Sequence, residues 1–98
     1  MNDKLKQIIN HYGVNHQLKY FQSEVYELTE AILWEQLTPS NWHTKAHVIE
    51  EIADVMVMLK QFQLFYGIKD EEIKDIMDFK INRQIERIGK ECKHQSND

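Results

Sequence analysis

The chain has 98 residues, with 12 Lys and Arg against 16 Asp and Glu for a formal charge of −4; 42% of its residues are apolar and 29% charged. That length holds one small domain and no second independent core, the composition excludes a disordered chain, and the acidic balance lacks the basic footprint of a duplex-DNA binder. A single cysteine, Cys92, excludes an internal disulfide and points to a reducing compartment. No run approaches the roughly 20 apolar residues of a membrane helix, and the opening MNDKLKQIINHYG lacks a signal-peptide core, so a cytoplasmic protein with no membrane partner is expected.

Gly13, Pro39, Gly67 and Gly89 are the only Gly and Pro residues, and no alternation of period two persists. The spacing predicts a first helix over about 3–12, ended by Gly13. A second follows over about 15–37, ended by Thr38-Pro39. On it Leu18, Phe21, Val25, Leu28 and Ile32 form an apolar stripe. Beside that stripe run Tyr20, Glu24, Glu27, Ala31 and Trp34, with Gln17 at the edge, as a half-buried border.

Ser40 or Asn41 is expected to cap a third helix that runs to Tyr66, with Gly67 just past its end. Val48, Ile52, Val55, Leu59 and Phe62 make one face of it, while Ile49, Ala53, Met56, Val57 and Leu64 cover much of the rest. A helix apolar on so many sides must be surrounded. A second copy is therefore expected against it, in a homo-oligomer of closed symmetry. Asp70 opens a fourth helix to about Cys92, with acids in its first turn and lysines in its last, followed by a frayed tail over about 94–98. The expected architecture is a single all-α domain over 1–98, a four-helix antiparallel bundle-like subunit that oligomerises through its long helices.

The most apolar segment, His47 to Leu59, also carries Glu51 and Asp54 on the side of Val55, Met58 and Phe62. A buried carboxylate without a partner costs several kcal/mol or takes up a proton. Residues three apart rise about 4.5 Å along a helix, so Glu24/Glu27 and Glu51/Asp54 can each present two carboxylates to one point. With the two helices side by side the four acids converge. Each pair at about 4 Å then repels by on the order of 4 kcal/mol at an effective dielectric near 20, which a cation would offset. Carboxylate-only ligands select a hard ion, Mg²⁺ or Mn²⁺.

Other accounts stay open at this level. Lys80, Arg83 and Arg87 lie along one side of the fourth helix, where they can pair with the acids or grip phosphates. His43, His47 and Glu51 raise a zinc alternative, against which stands the separation of the outer two, about 12 Å along the axis. Glu72, Asp75 and Asp78 read as a solvated face. Trp34, two turns beyond Glu27, is the better stacking candidate of the two tryptophans, and Trp42 reads as a core or interface anchor.

Glu24-Val-Tyr-Glu27-Leu28 and Glu50-Glu51-Ile-Ala-Asp54-Val55, with 23 residues between Glu27 and Glu51, resemble the ExxE and ExxD motifs of the MazG-like all-α nucleoside triphosphate pyrophosphohydrolases. Gln17, Gly67-Ile68 and Lys80-Ile-Asn82-Arg83 add to a likeness over roughly residues 13–90. The resemblance implies a homodimer or homotetramer, Mg²⁺ held by Glu24, Glu27, Glu51 and Asp54, and hydrolysis of a nucleoside triphosphate, often a deoxy or noncanonical one, to the monophosphate and pyrophosphate, in the service of clearing the nucleotide pool. It implies Glu24 or Glu27 as general base, Lys80 and Arg83 on the phosphates, Gln17 in substrate binding, and Trp34 stacked on the base. Ser23 departs from the Glu-Glu doublet common in the first motif, and Lys69 stands where many relatives have an acid. Asn82 points away from Lys80 by helical geometry. A phosphoribosyl-ATP pyrophosphohydrolase ranks lower, since the Tyr-His pair expected after Asp54 is absent. The rival from another class is a non-catalytic helical interaction module with salt-bridged acids.

Overall fold

A computed structural model describes residues 1–37 and 42–96, with the backbone alone at 42–44 and 93–96. Among these residues there are four helices and no strand: α1 (Asn2–Tyr12), α2 (Val14–Leu37), α3 (Trp42–Phe65) and α4 (Asp70–Ser96). The protein is all-α, as its periodicity predicts. It divides into two compact units, Met1–Gly67 with α1 to α3 and Ile68–Asp98 with α4. No helix among the described residues is long and apolar enough to cross a membrane.

Two glycines at positive φ end helices of the first unit. Gly13, at φ 87°, is the single residue between α1 and α2. Its N–H closes α1 on the Ile9 carbonyl at 2.8 Å, and its own carbonyl accepts from Gln17 N at 3.1 Å to begin α2. Gly67, at φ 67°, ends α3 by donating to the Leu64 carbonyl at 3.2 Å. A side chain would strain either position, which is why glycine stands there. The expected stop at Thr38-Pro39 and the expected cap at Ser40 or Asn41 lie outside the described residues.

The second unit is α4. Its start is held by the Lys69 N–H donating to Glu72 Oε2 at 2.8 Å, one half of a capping box, and Asp70, Glu71 and Glu72 suit the positive end of the helix dipole. Lys74 and Asp78 pair at 3.0 Å in solvent, and Glu72 and Asp75 are exposed with them, as a solvated face should be. The helix runs on through Gly89 and past Cys92 to Ser96, so His94, Gln95 and Ser96, expected in a frayed tail, are helical. A glycine inside a helix costs only about 1 kcal/mol relative to Ala. Gly89 does not take the positive φ that ended the other helices.

In the first unit α2 and α3 run antiparallel, since Gln17 meets Gln61 while Glu24 meets Glu51 and Asp54. Phe21 and Phe62 pack edge to face at 5.5 Å between them. α1 lies mainly against α3 and buries Leu5 and Ile9, one helical turn apart; with Ala31 and Met58 these make the core. Burial of side chains the size of Leu, Ile or Met contributes roughly 1.5–3 kcal/mol each.

The rotation of α2 differs from the sequence expectation. Leu18, Val25 and Ile32, predicted to be buried, are 50%, 39% and 42% exposed, whereas Gln17, Glu24 and Ala31 are buried. Gln17, Glu24 and Ala31 of the border stripe face α3, and of the apolar stripe Phe21 turns in to meet Phe62. On α3 the counterparts are Glu51, Met58 and Gln61, also buried, while Ile49, Ile52, Met56, Val57 and Leu59 stay exposed. The amides find partners across the α2–α3 seam, so that seam is partly polar, and much of each apolar stripe is left exposed on the first unit.

A candidate metal centre and its adjoining cavity

Glu24 from α2 and Glu51 and Asp54 from consecutive turns of α3 each bring one carboxylate oxygen within 4.8 Å of the others. The two helices bring Glu24 to the Glu51–Asp54 pair, while Glu27, expected to converge with them, stands outside the trio. Glu24 and Glu51 are buried, with 5% and 7% of their surface exposed, and Asp54 opens to solvent. Glu24 Oε2 and Glu51 Oε2 are buried and accept no hydrogen bond from any described residue, and Glu35 Oε2, three turns further along α2, shares that condition. Buried oxygens of this kind are costly unless something positive reaches them.

The electrostatics say the same. Burial pushes the Glu24 carboxyl above the ordinary range; a hydrogen bond from Tyr20 opposes this, and the charges of Glu27, Asp54 and Glu51 add to it. Burial also raises Glu51, followed by the charges of Glu27 and Asp54, against a small opposite pull from His47. Its Nε2 stands 3.7 Å from Glu51 Oε1. The phenol of Tyr20 is raised in turn, first by its hydrogen bond to Glu24. Among the charges acting most strongly on Glu24 and Glu51, three or more are acids, and no Lys or Arg figures. A trio of oxygens with orphaned, proton-hungry members and no ammonium or guanidinium fits a hard divalent cation such as Mg²⁺ or Mn²⁺.

Of the other predicted residues, Glu27 is exposed and stands outside the trio, yet its charge bears on both buried acids. Glu50 is exposed, as its position a hundred degrees round the helix requires. Trp34 is 59% exposed. Lys80 and Arg83 lie on α4 in the second unit, both exposed, and the Arg83 guanidinium lies 5.7 Å from the Phe79 ring centre. The side chains of His43 and Trp42 fall outside the described residues, so only the His47–Glu51 half of the zinc alternative is visible.

Beside the acids opens a cavity of about 390 Å³, walled by Glu24 and Asp54 at one end and by Tyr12, His16 and Tyr20 along α1 and α2. Gln17, Met58 and Gln61 close it from the seam. Gln17 Nε2 donates to Gln61 Oε1 at 2.9 Å, and Gln17 Oε1 lies 2.9 Å from His16 Nδ1. Both amide nitrogens approach the Met58 thioether, at 3.9 and 3.7 Å. His16 is stacked on Tyr12 with ring centres 4.9 Å apart and planes 15° from parallel. Gln17 was expected to take part in binding, but the rest of this wall was not anticipated. A signal was present: Gln17 precedes Glu24 by seven residues and Gln61 follows Asp54 by seven, about two turns, which keeps each amide on its acid's face.

Compared with known protein families, curated proteins and solved structures, the chain finds no match.

Proposed function

We propose that the protein is a Mg²⁺-dependent nucleoside triphosphate pyrophosphohydrolase of the MazG-like kind, releasing the monophosphate and pyrophosphate in the cytoplasm and so clearing nucleotides from the pool. The observation that carries this reading is the trio Glu24, Glu51 and Asp54, within 4.8 Å of one another and with two orphaned buried oxygens. These three, with Glu27 beside them, hold the ion. Bound there, Mg²⁺ or Mn²⁺ supplies charge neutralisation of the phosphates and a more acidic water. Glu27 or Glu24 takes the proton of the attacking water on its carboxylate. Tyr20 orients Glu24 through its hydrogen bond. Gln17 and Trp34 belong to the substrate side, and Lys80 and Arg83 are the cations for the phosphates.

A panel of ribo- and deoxynucleoside triphosphates with Mg²⁺, assayed for pyrophosphate, is expected to give release from at least one member, and Mg²⁺ or Mn²⁺ alone to raise the melting temperature. No release from any nucleotide, together with no thermal shift, would return the chain to the rival reading of a non-catalytic helical module.

The finer architecture belongs to the same reading: a four-helix antiparallel bundle-like subunit that oligomerises through its long helices. It is supported by the apolar groups left outside the first unit, among them Ile49, Ile52, Met56 and Leu59 at 42% exposure or more, more than a monomer ordinarily leaves on one helix. Light scattering is expected to give a mass at least twice the 11.8 kDa of the chain. Ile52→Glu with Leu59→Glu should reduce it toward the monomer; a monomeric wild type sinks the oligomer.

A further inference from the structure

The chemistry of the cavity wall selects what the cavity takes. A thioether sulfur accepts hydrogen bonds and never donates them, so Met58 Sδ turns the NH₂ groups of both Gln17 and Gln61 toward itself. With Gln17 Nε2 committed to Gln61 Oε1 and to the sulfur, Gln17 Oε1 is the atom that faces His16 Nδ1. An amide oxygen only accepts, so Nδ1 carries the proton. In the neutral ring the other nitrogen, Nε2, is then an acceptor. Gln17 and Gln61 are 4% and 1% exposed and satisfied by each other, so neither amide turns over alone without leaving a buried group unpaired, and a joint turn would set both amide oxygens against the Met58 sulfur. The imidazole, itself exposed, stacks on the exposed Tyr12 ring in the cavity lining. At about 390 Å³ the cavity lies within the range of about 300–1,000 Å³ usual for small-molecule sites, and its far end is the acid trio. A nucleotide with its phosphates at the acids has its base in this space.

We propose that the cavity is the base subsite and that His16 is its specificity-determining residue, accepting through Nε2 a hydrogen bond from an exocyclic amino group of the base. The substrate class is thus a nucleotide whose base carries that amino group, in preference to one presenting a carbonyl at the same position. A carbonyl would set two acceptors against each other and forfeit that hydrogen bond. This inference rests on the nucleotide reading above.

The test is calorimetric titration of the intact protein with dCMP and dUMP, which differ at C4, amino against carbonyl, and at the adjoining N3, bare acceptor against N–H, and are not hydrolysed by the proposed reaction. We expect dCMP to bind at least about 10-fold more tightly. His16→Phe, which keeps a ring to stack on Tyr12 and removes the acceptor, should abolish that preference. Met58→Leu, of similar volume, frees the two amides to turn over and should weaken it. Equal affinities, tighter dUMP, no binding of either, or a preference that survives His16→Phe overturns the proposal. Pyrophosphate release is a separate readout. Selective dCMP binding without release from any triphosphate removes the hydrolase reading and leaves the base subsite standing, whereas release without selection between dCTP and dUTP removes the base subsite alone.

Discussion

Replacing Glu51 by Gln and Asp54 by Asn together is expected to lower pyrophosphate release by at least about 100-fold, on the order of 3 kcal/mol in the barrier, while the melting temperature stays level or rises. The two halves of this result have one cause. Two of the three converging oxygens are lost as anionic ligands, so the ion is no longer held. At the same time two negative charges leave a site where Glu24 and Glu51 are already pushed toward protonation by burial and by their neighbours. A new amide NH₂ at position 51 can donate to Glu24, one of whose oxygens has no donor among the described residues. Had the acids been salt bridged, the same variant would strip a buried cation of its partner and destabilise the protein by several kcal/mol. An unfolded double variant therefore favours the interaction-module reading. A folded, inactive one favours the metal centre.

In the absence of divalent ions the stability of the protein is expected to fall as pH rises from the ordinary glutamate range, about 4.3, through the raised values of Glu24 and Glu51. Both carboxyls hold their protons more tightly in the folded than in the unfolded chain. Their contribution to stability is therefore fully present below the unfolded pKa and is lost as pH passes the folded one. Other carboxylates slope the opposite way in many proteins, so the readout is a difference: Glu51→Gln should flatten the decline relative to wild type. Mg²⁺ reverses the sign, because an ion bound only by the folded carboxylates stabilises more as they ionise. Melting temperatures taken across this window in chelator and in Mg²⁺ check both statements. A decline that Glu51→Gln leaves unchanged or steepens in chelator would show that the acids have a cationic partner.

The candidate site was legible in part. Glu51 and Asp54 stood out because two acids sat on the inward side of the most apolar helix, and the spacing of three that unites them is a property of one helix. Glu24 and Glu27 were equivalent at that level, each a turn apart on α2. The structure separates them, burying Glu24 in the trio and leaving Glu27 at its edge, because the angular position of α2 against α3 decides which of two neighbouring carboxylates points into the seam. The same rotation explains why Leu18, Val25 and Ile32 are outside.

The sequence by itself determined the helical class and where α1 and α3 end, since Gly13 and Gly67 are local devices that act on their own backbone. It also determined that Glu51 and Asp54 face one way, because helical periodicity needs only neighbours in the chain. Tertiary structure alone decided that Glu24 joins them, that Gln17 locks to Gln61, and that Tyr12 and His16 wall a cavity beside the acids. Those are relations between helices. Their rotation about their own axes follows from what each finds to pack and hydrogen-bond against, which no single segment encodes.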